Sequence, residues 1–405
     1  MKPLQLLLSL LWIGQLCAQT TAARTWTSTD GRKIEAILLS ATADSVKVRL
    51  ANGSTFDIPL ARLSAEDQTY VKAQAAAPSA PTTVPVSKEW PRTVSLDDKP
   101  EIITVTEDEA KHEFIYRSPH YEFVCDSKLG ANVVREFGRL FEATYQLNCV
   151  LPLDLKPTPE RLREIFQARL FTEKADYMDA GGMEGSAGVY TSGKKALMVP
   201  LSSLGVRMVG SRVTLENNPN ASDNAVLIHE ITHQMMNHWL PVIPTWYTEG
   251  AAEYTEMLEY NSNGKFSLLG LDRLMREYVQ SRGGAGGKAY TMVDLEELIT
   301  IDPGTWAAAL AKDGIAADNY VSAGLLTYYF YHLDDKGDAA HIIAWLRAIE
   351  GLRNEQESIP HMKSHLLRDR TYAQLADDVK KAFRKTGLDI SFHPPGKNGP
   401  RTLTQ

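Results

Sequence analysis

Two histidines four residues apart, in His229-Glu230-Ile231-Thr232-His233, constrain this chain more than any other feature. On a helix, the i, i+4 spacing puts both imidazoles on one face, close enough to grip one metal ion. The glutamate after the first histidine falls on the adjoining side of that face. A carboxylate there can act as general base on a zinc-bound water, whose pKa the metal lowers to about 7. The surroundings fit a helix. The apolar run Ala225 to Ile228 leads into the motif, Asp223 stands where it can cap the first turn, and Pro241 and Pro244 end the segment. The expected cofactor is Zn2+, with His229 and His233 as ligands and Glu230 as the catalytic base.

A third ligand comes from the next acidic segment, Trp246-Tyr247-Thr248-Glu249-Gly250-Ala251-Ala252-Glu253-Tyr254. The residues themselves leave Glu249 and Glu253 both open. The pattern Trp246-x-x-Glu249-Gly250-x-Ala252-Glu253-Tyr254 resembles the gluzincin metallopeptidases, including aminopeptidase-N-type enzymes. That resemblance implies that Glu249 binds zinc and that Glu253, one helical turn on, holds His229. A carboxylate in that place fixes the tautomer and orientation of a ligating histidine. The separation from His233 to Glu249 is shorter than in thermolysin-like enzymes, whose spacing suits Glu253, so the two roles stay interchangeable. Without a Gly-x-x-His continuation after His233, the chain does not resemble metzincins. His238 reads as a helix-end histidine.

The resemblance has further implications. Gluzincins place a Tyr or His downstream to stabilise the oxyanion, and Tyr320 stands ahead of an apolar helix in this chain. They also pair the substrate backbone with an edge strand beside the active helix, which points to the hairpin at 187 to 199. Gly181-Gly182-Met183-Glu184-Gly185 reads as a glycine-rich loop. His361 and His365 share the i, i+4 spacing, but no glutamate follows the first, and they read as a solvated helix face.

A chain of 405 residues with a net charge of -7 and no long basic run predicts two or three domains and argues against nucleic acid as the main partner. Lys2, the apolar stretch Leu6 to Leu16, and Ala18 or Ala23 read as a signal peptide over residues 1–23. The expected location is therefore exported, periplasmic or secreted. No later segment reads as transmembrane. Cys17 would leave with the leader. Cys125 and Cys149 then form either a disulfide or two small buried hydrophobes.

Residues 24–74 read as a small β module. Asp30-Gly31 marks a turn, Val46, Val48 and Leu50 alternate, Asn52-Gly53 turns, and Phe56, Ile58 and Leu60 alternate again. Ser64 followed by Asp67 marks a helix start. With Arg24-Thr25-Trp26, Ile58-Pro59-Leu60 and Leu63 to Gln68, this stretch resembles the Sla homology domain 1 family. It implies a small all-β, SH3-like barrel that holds a protein or cell-surface partner. Residues 75–109 read as a Pro/Ala-rich linker, 110–393 as the main domain, and 394–405 as a flexible tail. The main domain is expected to be α+β and gluzincin-like, with a mixed sheet, an active-site helix and a helical C-terminal subdomain. The expected function is an exported zinc metallopeptidase cleaving a peptide or protein substrate. The rival is an adaptor or scaffold acting through the Sla homology-like module.

Overall fold

The computed structural model describes residues 24–41, 45–50, 55–76, 89–96, 100–159, 164–182, 188–191, 196–203, 206–209, 212–215, 221–310 and 315–396. The chain divides into two units, Met1–Ala80 and Pro81–Gln405.

The first unit is built from hairpins. Strands β1 (Arg24–Thr27), β2 (Lys33–Ala41), β3 (Ser45–Leu50) and β4 (Thr55–Pro59) pair antiparallel in that order and lead to helix α1 (Ala65–Ala76). The Asp30-Gly31 turn closes β1 onto β2: Gly31 takes a φ of 82°, which favours glycine, and Ser28 N donates to Arg32 O at 2.8 Å. The outer side of β1 bonds to the segment after β4, with Ser64 N donating to Thr27 O at 2.8 Å. Alternation puts Trp26, Val46 and Val48 on one inward face, where they bury with Leu60, Leu63 and Val71. Ser64 opens α1 as the sequence implies, its hydroxyl accepting from Asp67 N at 3.2 Å. Asp67 turns back into the core and accepts from Thr27 N at 2.8 Å and from Arg24, tying the helix to β1. The Asn52-Gly53 turn lies outside the described residues.

The second unit begins inside the stretch expected to be linker. Strands β5 (Thr93–Ser95) and β6 (Ile103–Asp108) fall within 75–109. Val94 is buried, and the Trp90 ring packs at a tilt against that of His332, centroids 4.3 Å apart. The prolines of that stretch concealed these apolar anchors. After β7 (Glu113–Arg117), β8 (Tyr121–Cys125) and β9 (Lys128–Leu129) comes helix α2 (Ala131–Val150), then β10 (Phe166–Phe171), α3 (Lys174–Asp179), β11 (Val189–Thr191), β12 (Ala196–Pro200), β13 (Val206–Val209) and β14 (Arg212–Leu215). Six of these strands form one mixed sheet in the order β11-β12-β10-β8-β7-β6. Strand β10 runs parallel to both its neighbours, and the other pairs are antiparallel. Phe141 of α2 meets Tyr121 and Phe123 edge-on at 4.8 and 5.0 Å, which fastens that helix to the sheet.

The metal motif sits on α4 (Ala221–Met235), followed by α5 (Thr245–Met257). Helix α4 starts two residues before Asp223, which therefore stands inside the first turn and is not the capping residue. The helix also ends at Met235, ahead of both prolines, and His238 lies in the turns that follow. Pro244 is the N-cap residue of α5, a place where the missing N–H costs nothing. The rest of the unit is largely helical: β15 (Glu259–Asn261), β16 (Lys265–Ser267), α6 (Leu271–Ser281), β17 (Ala289–Met292), α7 (Leu295–Thr300), α8 (Pro303–Leu310), α9 (Ile315–His332), α10 (Ala340–Ile349), α11 (Glu355–Met362), α12 (Tyr372–Lys385) and β18 (Asp389–Phe392). Strand β16 pairs with β15 and β5, and β17 pairs with β18. The expected tail is partly pinned, because Gly396 N donates to the buried Glu297 carboxylate at 2.7 Å. Cys125 and Cys149 are free thiols. Among the described residues, no helix is long and apolar enough to cross a membrane.

Helix α9 is buried around most of its circumference, and α5 lies against it. Two glycines permit that approach. A Cβ on Gly250 would stand 2.4 Å from the Ala323 carbonyl oxygen and 2.2 Å from Thr327 Oγ1. A Cβ on Gly324 would stand 3.0 Å from Glu253 Cβ. Gly250→Ala is therefore expected to force α5 off α9 and to lower stability by about 1–3 kcal/mol, the range for overpacked cores. Denaturant unfolding checks this, and an unchanged midpoint would show that the helices have slack.

Candidate metal centre

Helices α4 and α5 share a buried polar contact between two hydroxyls. Thr232, in the middle of the histidine motif, shares a hydrogen bond of 2.7 Å with Thr255. Both hydroxyls also bond to carbonyls of their own helix, so neither is buried unsatisfied. Helix α4 is fixed to the sheet by Gln234, whose amide donates to Gln167 O on β10 at 3.0 Å. These anchors set the faces carrying the functional side chains.

His229, His233 and Glu249 come together. Glu249 Oε2 lies 3.4 Å from His229 Nε2 and 3.3 Å from His233 Nε2, and the two imidazoles stand edge to face with centroids 4.8 Å apart. A tetrahedron with bonds of about 2.0–2.1 Å has ligand atoms about 3.3 Å apart. Both separations to Glu249 match that spacing, all three donor atoms lie within 4.8 Å of one another, and two imidazoles with a carboxylate form a donor set that suits catalytic zinc. Among the described residues, a second set also converges: His229, Glu253 and Glu256. There Arg282 already pairs with Glu256 and lies 3.6 Å from Glu253, so a guanidinium holds the place of a cation.

Glu230 lies beside the trio, and its Oε2 accepts from the backbone N–H of Tyr190 at 3.3 Å. Tyr190 belongs to β11, the edge strand of the six-stranded sheet, so the hairpin expected beside the active helix stands there. A Cβ on Gly188 would touch Glu230 Cγ at 3.4 Å and Met198 O at 3.3 Å, which shows how closely the strand covers this carboxylate. The Tyr320 ring lies 6.2 Å from that of His229, edge-on, and packs against Trp306 at 5.3 Å. His361 and His365 sit elsewhere, in α11 and the π-turn after it. Of the glycine-rich loop, residues 183–187 lie outside the described residues.

Glu253 was expected to be the partner of His229. Its Oε1 is 3.5 Å from His229 Nδ1, whereas Glu256 Oε2 is closer at 3.2 Å and makes the hydrogen bond. The difference has a helical cause. Residues 249, 253 and 256 fall on one face, so a carboxylate two turns from the ligand reaches the same ring. That spacing was legible in the sequence. The supports of the pair were not: the Tyr278 hydroxyl donates to Glu253 Oε2, and Arg282 donates to Glu256 Oε1.

Burial and charge divide the protonation states. Burial works against a charged His229, but Glu249 and Glu256 override it and hold its pKa well above the usual imidazole range. Burial would raise Glu249, yet the two imidazoles pull it below the usual carboxylate range. Glu230 has its pKa raised by burial, only partly offset by the histidines. Burial also raises Glu253, while the bonds from His229 and Arg282 hold Glu256 low despite its burial, so Glu256 carries the charge. Burial keeps the Tyr320 phenol far above its ordinary pKa.

Residues 16–77 match the family model of SLA1 homology domain 1. The match begins within the stretch expected to be a leader. It covers the small β unit and supports a protein-binding module there. No curated protein and no solved structure matches the chain.

The raised pKa of His229 fixes a sign. A group raised on folding contributes stability that is present in full below its unfolded pKa, about 6.5 for histidine, and is lost as pH rises through the folded value. In chelator, the melting temperature should therefore fall from near-neutral to alkaline pH, and His229→Gln should flatten that limb. A wild-type limb as flat as the variant's would show that the carboxylates do not hold the proton.

Proposed function

We propose that the second unit is a zinc-dependent peptidase of gluzincin type, exported from the cell, in which His229, His233 and Glu249 hold the metal. The observation that carries this reading is the convergence of three donor atoms within 4.8 Å of one another, Glu249 at 3.3 and 3.4 Å from the two imidazoles, with Glu230 beside them under an edge strand. When bound, zinc supplies Lewis acidity, drawing electron density from a carbonyl oxygen and lowering the pKa of a water to about 7.

The residues of the chain do the rest. The Tyr190 amide engages Glu230 Oε2, which leaves Oε1 to take a proton from the reacting water. Burial raises the basicity of this carboxylate toward that of a base working near neutral pH. Attack forms a C–O bond at the scissile carbonyl. Glu230 then passes its proton to the amide nitrogen, and the C–N bond breaks to give a carboxylic acid and an amine. Tyr320 stays protonated and donates to the developing oxyanion. Edge strand β11 offers its outer backbone groups to an extended substrate.

A second reading rests on the family match at residues 16–77. There the β unit holds a protein or cell-surface partner, and the chain acts as an adaptor. The two readings separate on Glu230→Gln. The variant is expected to bind zinc as the wild type does and to lose cleavage of a denatured protein mixture by at least about a hundredfold, the usual scale for a lost general base. Equal cleavage by both proteins would remove Glu230 from the chemistry. Zinc binding without cleavage by either would favour the adaptor.

A further inference from the structure

Helix α5 presents three carboxylates on one face, and His229 lies between them. Its Nε2 faces Glu249, and its Nδ1 faces Glu256 and Glu253. Only Glu256 makes the hydrogen bond, at 3.2 Å. Each of the two rear carboxylates has its own support from α6 or the residue after it. Arg282 donates to Glu256, and the buried Tyr278 hydroxyl donates to Glu253. A carboxylate oxygen accepts, so Nδ1 donates to Glu256, and a metal ion at Nε2 would take the place of the proton that this nitrogen holds toward Glu249. His233 differs: its Nδ1 is buried and has no hydrogen-bond partner among the described residues. The trio is thus held from one side, through His229.

We propose that Glu256, clamped by Arg282, is the positioning residue that fixes the tautomer and orientation of His229, and that Glu253 is the lesser partner, drawn off by Tyr278. This rests on the metal reading above. Arg282 holds one oxygen of Glu256 while the other meets His229 Nδ1, so removing either residue removes the same constraint.

The test is zinc affinity of the full chain, stripped of metal and titrated against a chromophoric chelator. Glu256→Gln is expected to weaken zinc binding about 10- to 100-fold, the scale for partners behind a metal ligand, and Glu253→Gln to weaken it less. Arg282→Met should act in the same direction. The double variant Glu256→Gln/Arg282→Met should bind no more weakly than Glu256→Gln alone, because the two act as one unit. A merely structural role would instead multiply the losses. The role is overturned if Glu256→Gln binds zinc as the wild type does, if Glu253→Gln costs more, or if the losses multiply. Melting of the metal-free proteins identifies a variant that fails to fold. Should Glu256→Gln do so, Arg282→Lys, which keeps the charge, is expected to bind more tightly than Arg282→Met, and equal binding overturns the clamp. A wild type that binds no zinc would overturn the metal reading itself, whereas zinc-binding wild type with an unaffected Glu256→Gln overturns only the role of Glu256.

Discussion

The close approach of α5 to its neighbours governs the centre of this protein. Gly250 and Gly324 let α5 settle against α9, and the Thr232–Thr255 bond sets it against α4. The ligand-bearing face of α5 then meets the histidine face of α4 with atoms 3.3 and 3.4 Å apart. Neither helix could do this alone. The i, i+4 histidines offer two nitrogens, and the third donor arrives through packing. The glycine directly after Glu249 therefore has a steric meaning: the carboxylate that meets the histidines and the close contact are adjacent in the chain.

Charge is the second constraint. Glu230, Glu249, Glu253 and Glu256 all lie around His229, in a region where solvent is largely excluded. Buried carboxylates are costly unless paired, and Arg282 is the fixed cation that faces two of them. A divalent ion among His229, His233 and Glu249 would offset much of the remaining negative charge. The two sides of His229 thus differ: a guanidinium faces the carboxylates behind it, and the proposed metal site lies in front.

Much of this was legible in the residues. The His229-to-His233 spacing and the acidic segment from Trp246 named the atoms that converge, because helical periodicity is local and strict. The Ser64 helix start followed from capping chemistry, and the strands β11 and β12 stand where the hairpin at 187 to 199 was expected, its turn residues lying outside the described residues. What failed depended on distant partners. Asp223 looked like a cap because its type fits, yet the helix begins two residues earlier. The linker expected over 75–109 hid β5, since a three-residue strand that pairs with Lys265–Ser267 has almost no periodicity of its own. Glu256 could have been found from the 249, 253, 256 spacing. Arg282 and Tyr278 could not, because α6 packs beside α5 only in three dimensions.

The most direct measurement is X-ray absorption at the zinc edge on the full chain, purified, stripped and reloaded with one equivalent of zinc. The expected first shell is light atoms at about 2.0–2.1 Å, with imidazole scattering from two rings that drops to one ring in His233→Ala. A sulfur shell at about 2.3 Å, or a spectrum unchanged by His233→Ala, would contradict a centre built by α4 and α5.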